Sequence, residues 1–392
     1  MKTCRKVGLA ALGFVVVVGA TAATPKEPAA CILGDQAVAQ KQPQLAIVEY
    51  DKCLARHAPT FEVLSNLGIA YAQLKKFPEA IRNYVQALAL DRDSAPVHLN
   101  LGLAYLKTGH PKQAERQFAR ALMSDPHDPK ALELLAYTHF QLGDFALAAY
   151  EAGLVHKAMP EEPSAAFLLG SSYLRLGMYH RAIPLIYYSV SHSQSPDAYL
   201  VLGEAFLGVR AYRQALEVFQ KAVSLNPKLP NIYSDLALAY DGVGEPGKAS
   251  AALKKELAED PNNFEANYLM GRTDRINDDD ADAVKYLDKA NELQPGDAAV
   301  AYEFAVLAMQ HHHYAKAESI LRGILQKLPS YTDAHVLLAE VYFRLHKTQE
   351  GLREKAIVAA LKQAQHDRVV AEGKALMKQA GPNGAAPTGQ DP

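Results

Sequence analysis

The stretch from Ala95 to Asp128, APVHLNLGLAYLKTGHPKQAERQFARALMSDPHD, contains two helical patterns separated by a turn. Apolar and small residues recur every three or four positions in each half, which is the spacing of one face of an α-helix. Pro126 follows the second half, and a proline there prevents the helix from continuing. The stretch therefore predicts two helices joined by a short turn.

The rest of the chain repeats this stretch at a fixed period. Small residues recur at the position of Gly102 every 34 residues, with one interval of 33. They are Gly68, Gly102, Ala136, Gly170, Gly203, Ala237, Gly271, Ala305 and Ala339. A period of this size is typical of solenoid proteins, in which each unit packs on its neighbours.

The small residues have a physical role in this pattern. Twelve positions after Gly102 stands Ala114, and two antiparallel helices approach most closely where both side chains are small. Large residues such as Tyr105 and Phe118 fill the space near this contact. No single pair of helices buries both of its faces, so the core is expected to be continuous only along the stack.

The pattern Leu101, Gly102 and Tyr105, then Ala114, Phe118, Ala121 and Pro126, closely resembles the tetratricopeptide repeat. The resemblance covers residues 61–351, with repeats beginning near residues 61, 95, 129, 163, 196, 230, 264, 298 and 332. A weaker copy at 27–60 is predicted to be a degenerate N-terminal repeat. The resemblance implies an all-α fold, a right-handed α-solenoid of about nine to ten helix-turn-helix units.

Composition and motifs exclude several classes of function. The chain has 392 residues and a formal net charge of −2, with no clustered basic face of the kind that nucleic acids require. The sequence contains no H-E-x-x-H, G-x-S-x-G or C-x-x-C motif. We therefore expect a protein that is not an enzyme, needs no cofactor and binds no nucleic acid.

The two ends of the chain differ from the repeats. Lys2, Arg5 and Lys6 precede an apolar run, residues 7–20, that is shorter than the roughly 20 residues of a membrane-spanning helix. Small residues follow, so we predict a signal peptide at 1–23, with an uncleaved anchor as the alternative. The mature chain would then be periplasmic or secreted and have no membrane span. Residues 352–379 are predicted to form a polar capping helix, and residues 380–392 a disordered tail.

Two repeats depart from the pattern. The repeat at 163–195 is one residue short and carries Pro184 inside its second helix. This predicts either a tolerated local kink or a bend that divides the array near residue 195. In the repeat that contains Gly271, Asp274 stands where most repeats have an aromatic residue.

The resemblance also implies where a partner binds. In this family the first helix of each repeat lines a concave face, and its fifth, ninth and twelfth positions point into the groove. We expect an apolar groove that holds a peptide or helix of a partner protein, with Glu204 and Arg272 setting its polarity. The alternative is that tight winding of the stack covers some of these residues. The residues expected to line the groove are Leu99, Leu103, Leu106, Tyr137, Phe140, Phe167, Leu200, Glu204, Tyr268, Arg272 and Tyr302.

An alternative function is metal or ligand binding at a polar edge. Residues 278–280 are three aspartates and residues 311–313 three histidines, in the turns of adjacent repeats. The candidate ligands are Asp278, Asp279, His311 and His313. Adjacent histidines point in different directions, however, and their spacing matches no recognised metal signature. We expect a solvated polar edge with no metal.

Cys31 and Cys53 form the remaining candidate pair. The antiparallel helices of the N-terminal repeat place them at compatible heights, and an exported chain permits a disulfide, with two buried thiols as the alternative. A bridge would stabilise this terminal repeat by about 3 kcal/mol. We expect no free thiol on unreduced, denatured mature protein, and a titration that finds two would rule the bridge out.

Overall fold

The computed structural model of this protein describes residues 29–379. The predicted signal segment, 1–23, and the predicted tail, 380–392, lie outside these residues. No helix within the described range is long and apolar enough to cross a membrane.

Residues 29–379 form twenty helices and no strand, as the repeat pattern predicts. The helices are α1 (Ala29–Ala39), α2 (Pro43–Leu54), α3 (Phe61–Gln73), α4 (Phe77–Leu90), α5 (Ala95–Lys107), α6 (Pro111–Ala121), α7 (Pro129–Leu142), α8 (Phe145–Ala158), α9 (Pro163–Arg175), α10 (Tyr179–Ser193), α11 (Pro196–Gly208), α12 (Tyr212–Leu225), α13 (Ile232–Gly242), α14 (Pro246–Glu259), α15 (Phe264–Ile276), α16 (Asp280–Leu293), α17 (Ala298–Gln310), α18 (Tyr314–Lys327), α19 (Thr332–Arg344) and α20 (Thr348–Gln379).

The two helices of a repeat meet where the sequence has its small residues. Gly68 in α3 lies beneath the ring of Tyr84 in α4, and Gly102 in α5 lies beneath the ring of Phe118 in α6. Both rings are fully buried. A Cβ atom added at Gly68 would lie 2.5 Å from Cε1 of Tyr84, which is too close for any side chain. The glycine is therefore required by the distance between the helices.

The chain divides into two compact units, Met1–Ile232 and Tyr233–Pro392. Within each unit, the second helix of a repeat packs on the first helix of the next, and neighbouring first helices also touch, as α3 and α5 or α15 and α17 do. The first helices of consecutive repeats thus lie side by side. We call this surface the first-helix face of each unit.

The two sequence departures have different outcomes. Pro184 lies inside α10, which continues to Ser193. The boundary between the compact units falls at residues 232 and 233, and a bend near residue 195 stays a prediction. The missing N–H of Pro184 removes one helix hydrogen bond, but packing of α10 against α9 and α11 keeps the helix intact.

A recurrent polar contact ties the first helix to the loop before it. Nε2 of His98 lies 2.9 Å from the carbonyl oxygen of Arg92, and Nε2 of His335 lies 2.9 Å from that of Pro329. Nδ2 of Asn267 donates to the carbonyl oxygen of Pro261 over 3.1 Å. In each case the donor follows the acceptor by six residues and is itself buried. We call this contact the loop latch.

The two histidine latches extend to the second helix of the same repeat. Nδ1 of His98 lies 2.8 Å from Oε1 of Gln117, and Nδ1 of His335 is hydrogen-bonded to Oε2 of Glu354. One imidazole therefore joins the entry loop, the first helix and the second helix.

The terminal repeats differ from the interior ones. Cys31 in α1 and Cys53 in α2 form a disulfide, with their Cα atoms 5.2 Å apart. Tyr50 donates a 2.6 Å hydrogen bond to Asp35 within this repeat. At the other end, α20 begins at Thr348 and continues to Gln379, so the last second helix and the predicted capping segment form one helix.

Asp274, at the end of α15, is a buried carboxyl group in the aromatic position of its repeat. Burial, and then the negative charges of Asp282 and Asp279, raise its pKa to about 6. Lys254 and Lys285 act in the opposite direction and only partly offset this. The side chain is therefore unfavourable in its charged form.

We expect Gly68→Ala to lower the free energy of unfolding by about 1–3 kcal/mol, because the new methyl group collides with the buried ring of Tyr84. Gly323→Ala in α18 is the matched control, since a Cβ there meets nothing within 4 Å. Removing a helical glycine should stabilise that variant by about 0.5–1 kcal/mol. Urea unfolding of both variants checks the opposite signs, and equal effects would contradict the close approach.

We expect Asp274→Asn to raise the free energy of unfolding at pH 7.5 by on the order of 2 kcal/mol. Burial raises the pKa of Asp274 in the folded state to about 6, above the ordinary value of 3.8, so the charge penalty is absent below about pH 4 and complete above about pH 6. The gain should therefore shrink on acidification. Urea unfolding at pH 4 and 7.5 tests this, with the exposed Asp288→Asn as control; a gain independent of pH would refute the assignment.

Candidate protein-binding face

Four residues expected to line the groove are buried within the stack of the N-terminal unit. Leu99, Leu103, Phe140 and Leu200 are only 2–7% exposed. Leu99 and Leu103 pack in one core cluster with residues of α6 and α7. Neighbouring first helices touch, so these side chains are used to join repeats. They offer almost no surface to a partner, and their assignment to the groove is corrected accordingly.

Leu106, Tyr137, Phe167 and Glu204 remain partly exposed on the same face. They come from four consecutive first helices, α5, α7, α9 and α11. Tyr137 accepts a 2.6 Å hydrogen bond from Nε2 of Gln141 on its own helix, which fixes the phenol. Phe167 packs against the core cluster that α10 and α11 contribute to. Of the residues predicted to line the groove in this unit, two aromatic rings, one leucine and one carboxylate are therefore accessible.

In the C-terminal unit, Arg272 is held in an ion pair between consecutive repeats. Its Nη2 atom lies 3.2 Å from Oδ2 of Asp241, which also accepts a hydrogen bond from the hydroxyl of Thr273. On the next pair of first helices, Nε of Arg275 lies 2.8 Å from Oε2 of Glu303. Arg272 thus connects α13 and α15 rather than presenting a free guanidinium group.

Tyr268 and Tyr302 occupy equivalent positions on α15 and α17, and both are partly exposed. Tyr268 stacks on Phe264, with ring centroids 6.4 Å apart and planes inclined by 8°. Tyr302 lies beside Tyr331, with ring centroids 5.8 Å apart. Burial raises the pKa of each of these three phenols, so all remain neutral at physiological pH.

Sequence reasoning missed Tyr331, because it precedes the first helix instead of lying within it. It occupies the N-cap position of α19. In α15 and α17 the same position holds Asn263 and Asp297, whose side chains accept hydrogen bonds from the helix N–H groups. The sequence feature that could have identified Tyr331 is a tyrosine at a position where other repeats have a helix-capping residue.

The His/Asp edge brings one predicted residue into contact with a carboxylate of the preceding repeat. Nε2 of His311 lies 2.7 Å from Oδ2 of Asp280 in the preceding repeat. Asp279 instead caps α16, Asp278 has a positive φ in the turn, and the ring centroid of His313 lies 6.3 Å from that of His311. Among the described residues, no group of three or more His, Cys, Asp or Glu side chains is placed to hold a metal ion.

Four family models match consecutive parts of the chain. One described as TPR repeat matches residues 68–109, and two described as tetratricopeptide repeat match 99–160 and 206–273. One described as anaphase-promoting complex, cyclosome, subunit 3, matches 147–222. A comparison with curated protein sequences gives no match.

Solved structures with similar architecture include MamA, which is 29% identical, with a TM-score of 0.38 over 41% of this chain and 94% of that one. A tetratricopeptide repeat protein from Parabacteroides merdae is 16% identical, with a TM-score of 0.47 over 62% and 97%. The Cut9–Hcn1 hetero-tetramer of APC/C is 13% identical, with a TM-score of 0.48 over 87% and 88%. The repeat period, the paired helices and the four family models together make this chain a tetratricopeptide repeat protein.

Proposed function

We propose that the protein is a non-catalytic scaffold that binds a peptide or helix of a partner protein on the first-helix face of its N-terminal unit. The observation that carries this is the partial exposure of Leu106, Tyr137 and Phe167 on three consecutive first helices. The repeat pattern demands none of these side chains. Their apolar surface is therefore available for a partner.

The packing of the repeats supports a binding surface whose side chains are already held in place. Leu99, Leu103 and Phe140 hold neighbouring first helices together, so the exposed residues between them are kept at fixed positions. A partner segment that contacts several of these residues loses its own conformational freedom but meets a surface that is already ordered. Burial of apolar area contributes roughly 25 cal/mol per Å², and the aromatic rings have the largest areas to offer.

The proposed location is the bacterial envelope. Support comes from the sequence of residues 1–23, in which a basic start, a short apolar run and small residues follow one another as in a signal peptide. The disulfide between Cys31 and Cys53 is consistent with an oxidising compartment.

We expect Phe167→Glu and Leu106→Glu each to weaken peptide binding at least tenfold, because a charge replaces part of an apolar contact. The measurement is selection of a displayed random-peptide library on the intact wild-type protein, followed by affinities of the selected peptides for each variant. Leu147→Glu is the matched control, since Leu147 is 50% exposed on α8, a second helix. Circular dichroism verifies folding. Folded variants that bind as wild type would refute the location of the face, and selection of no peptide would refute peptide binding.

A further inference from the structure

Tyr331 replaces a helix cap with an aromatic contact. Thr60, Asp128, Asn263 and Asp297 each cap a first helix through a side-chain hydrogen bond to a backbone N–H. The side chain of Tyr331 makes no such bond at the start of α19. Loss of an N-cap costs about 1 kcal/mol of stability. The first helices α5, α9 and α11 also begin without a side-chain cap, so the missing cap alone indicates no site; what distinguishes α19 is the ring that Tyr331 places beside Tyr302.

The two rings form a partly exposed pair. Their centroids are 5.8 Å apart and their planes are inclined by 47°, so they are not stacked face to face. Both pack against the core cluster of the last repeats, which fixes their position. We call these residues the Tyr302–Tyr331 pair. Both residues are partly exposed, and an aromatic ring carries partial negative charge on its face.

The charges around the pair are acidic. Asp333, two residues after Tyr331, is exposed and makes no ion pair or hydrogen bond with any other described residue. Its negative charge and that of Glu303 both act to raise the pKa of Tyr302. Two arginines of the neighbouring first helices are engaged, since Arg275 is paired with Glu303 and Arg272 with Asp241. A carboxylate in the first turn of a helix also offsets the helix dipole, so Asp333 alone indicates nothing. Its significance comes from the two adjacent rings.

An aliphatic surface continues from this charge. Val336 lies three residues after Asp333, on the same side of α19, and its side chain is largely exposed. Lysine and arginine bury their methylene stems on apolar surface while the charged end stays hydrated or paired. Val336, Asp333 and the rings thus offer contacts to both parts of such a side chain.

We propose that the Tyr302–Tyr331 pair and Asp333 bind a lysine or arginine side chain of a partner protein segment. This inference rests on the proposed scaffold function and adds a second binding site, in the C-terminal unit, to the face proposed on the N-terminal unit. The cation would lie against the ring faces, where cation–π attraction is strongest, and beside the carboxylate of Asp333. An acidic segment is disfavoured, because the carboxylate of Asp333 would repel it.

The test uses the displayed random-peptide library on the intact protein. Peptides selected by the wild type should be enriched in lysine and arginine relative to the unselected library. Tyr302→Leu, which keeps apolar bulk but removes the ring, and Asp333→Asn should each weaken the basic peptides by about three- to tenfold. Tyr302→Phe should bind as wild type, because the ring face is retained.

Two matched controls separate this site from general effects. Tyr150→Leu removes an exposed tyrosine from α8, and Asp288→Asn removes an exposed carboxylate from α16; neither should alter binding of the basic peptides. Selected peptides without basic enrichment, or rich in acidic residues, would overturn the cation site while leaving the scaffold proposal intact. Basic enrichment that persists in both Tyr302→Leu and Asp333→Asn would also overturn it. A library that yields no binding peptide contradicts both proposals.

Discussion

The contact between a helical glycine and the aromatic ring of the next helix sets the geometry on which the rest of the structure depends. Where Gly68 meets Tyr84 and Gly102 meets Phe118, the glycine surface allows a fully buried ring to lie against the helix backbone. This fixes the distance between the two helices of a repeat. The next first helix then packs against a surface of constant shape, so the same arrangement recurs along each compact unit.

The all-α architecture could be predicted from sequence because its cause is local and periodic. A small residue every 34 positions marks the helix contact, and proline marks the end of a repeat. The accessible surface is harder to predict. Leu103 and Leu106 lie one helical turn apart on α5, yet the first is buried and the second is partly exposed. The period identifies the helix on which a residue lies. How far its side chain is buried depends on the side chains of the neighbouring repeat.

Polar residues show the same limit. Arg272 could be placed on the first-helix face from its register, but its partner Asp241 lies 31 positions earlier, on the preceding first helix. Only the packing of α13 against α15 reveals that the guanidinium group is engaged. Tyr331 lies outside the helical register altogether, and its relation to Tyr302 depends on how the entry loop of the last repeat is folded. The repeat pattern predicts side-chain contacts least well at the residues that we associate with binding.

The loop latch has a consequence for how such a chain changes length over evolutionary time. The contacts of His98 run only from Arg92 to Gln117, and those of His335 from Pro329 to Glu354. The side chains of each latch lie inside one repeat, and the acceptor at the end of the preceding repeat is a backbone carbonyl oxygen that any preceding repeat supplies. A duplication or deletion of one whole 34-residue module would carry its own polar connections with it and leave no buried donor behind. The face that a partner meets can therefore be lengthened, shortened or reordered without redesigning the polar interior.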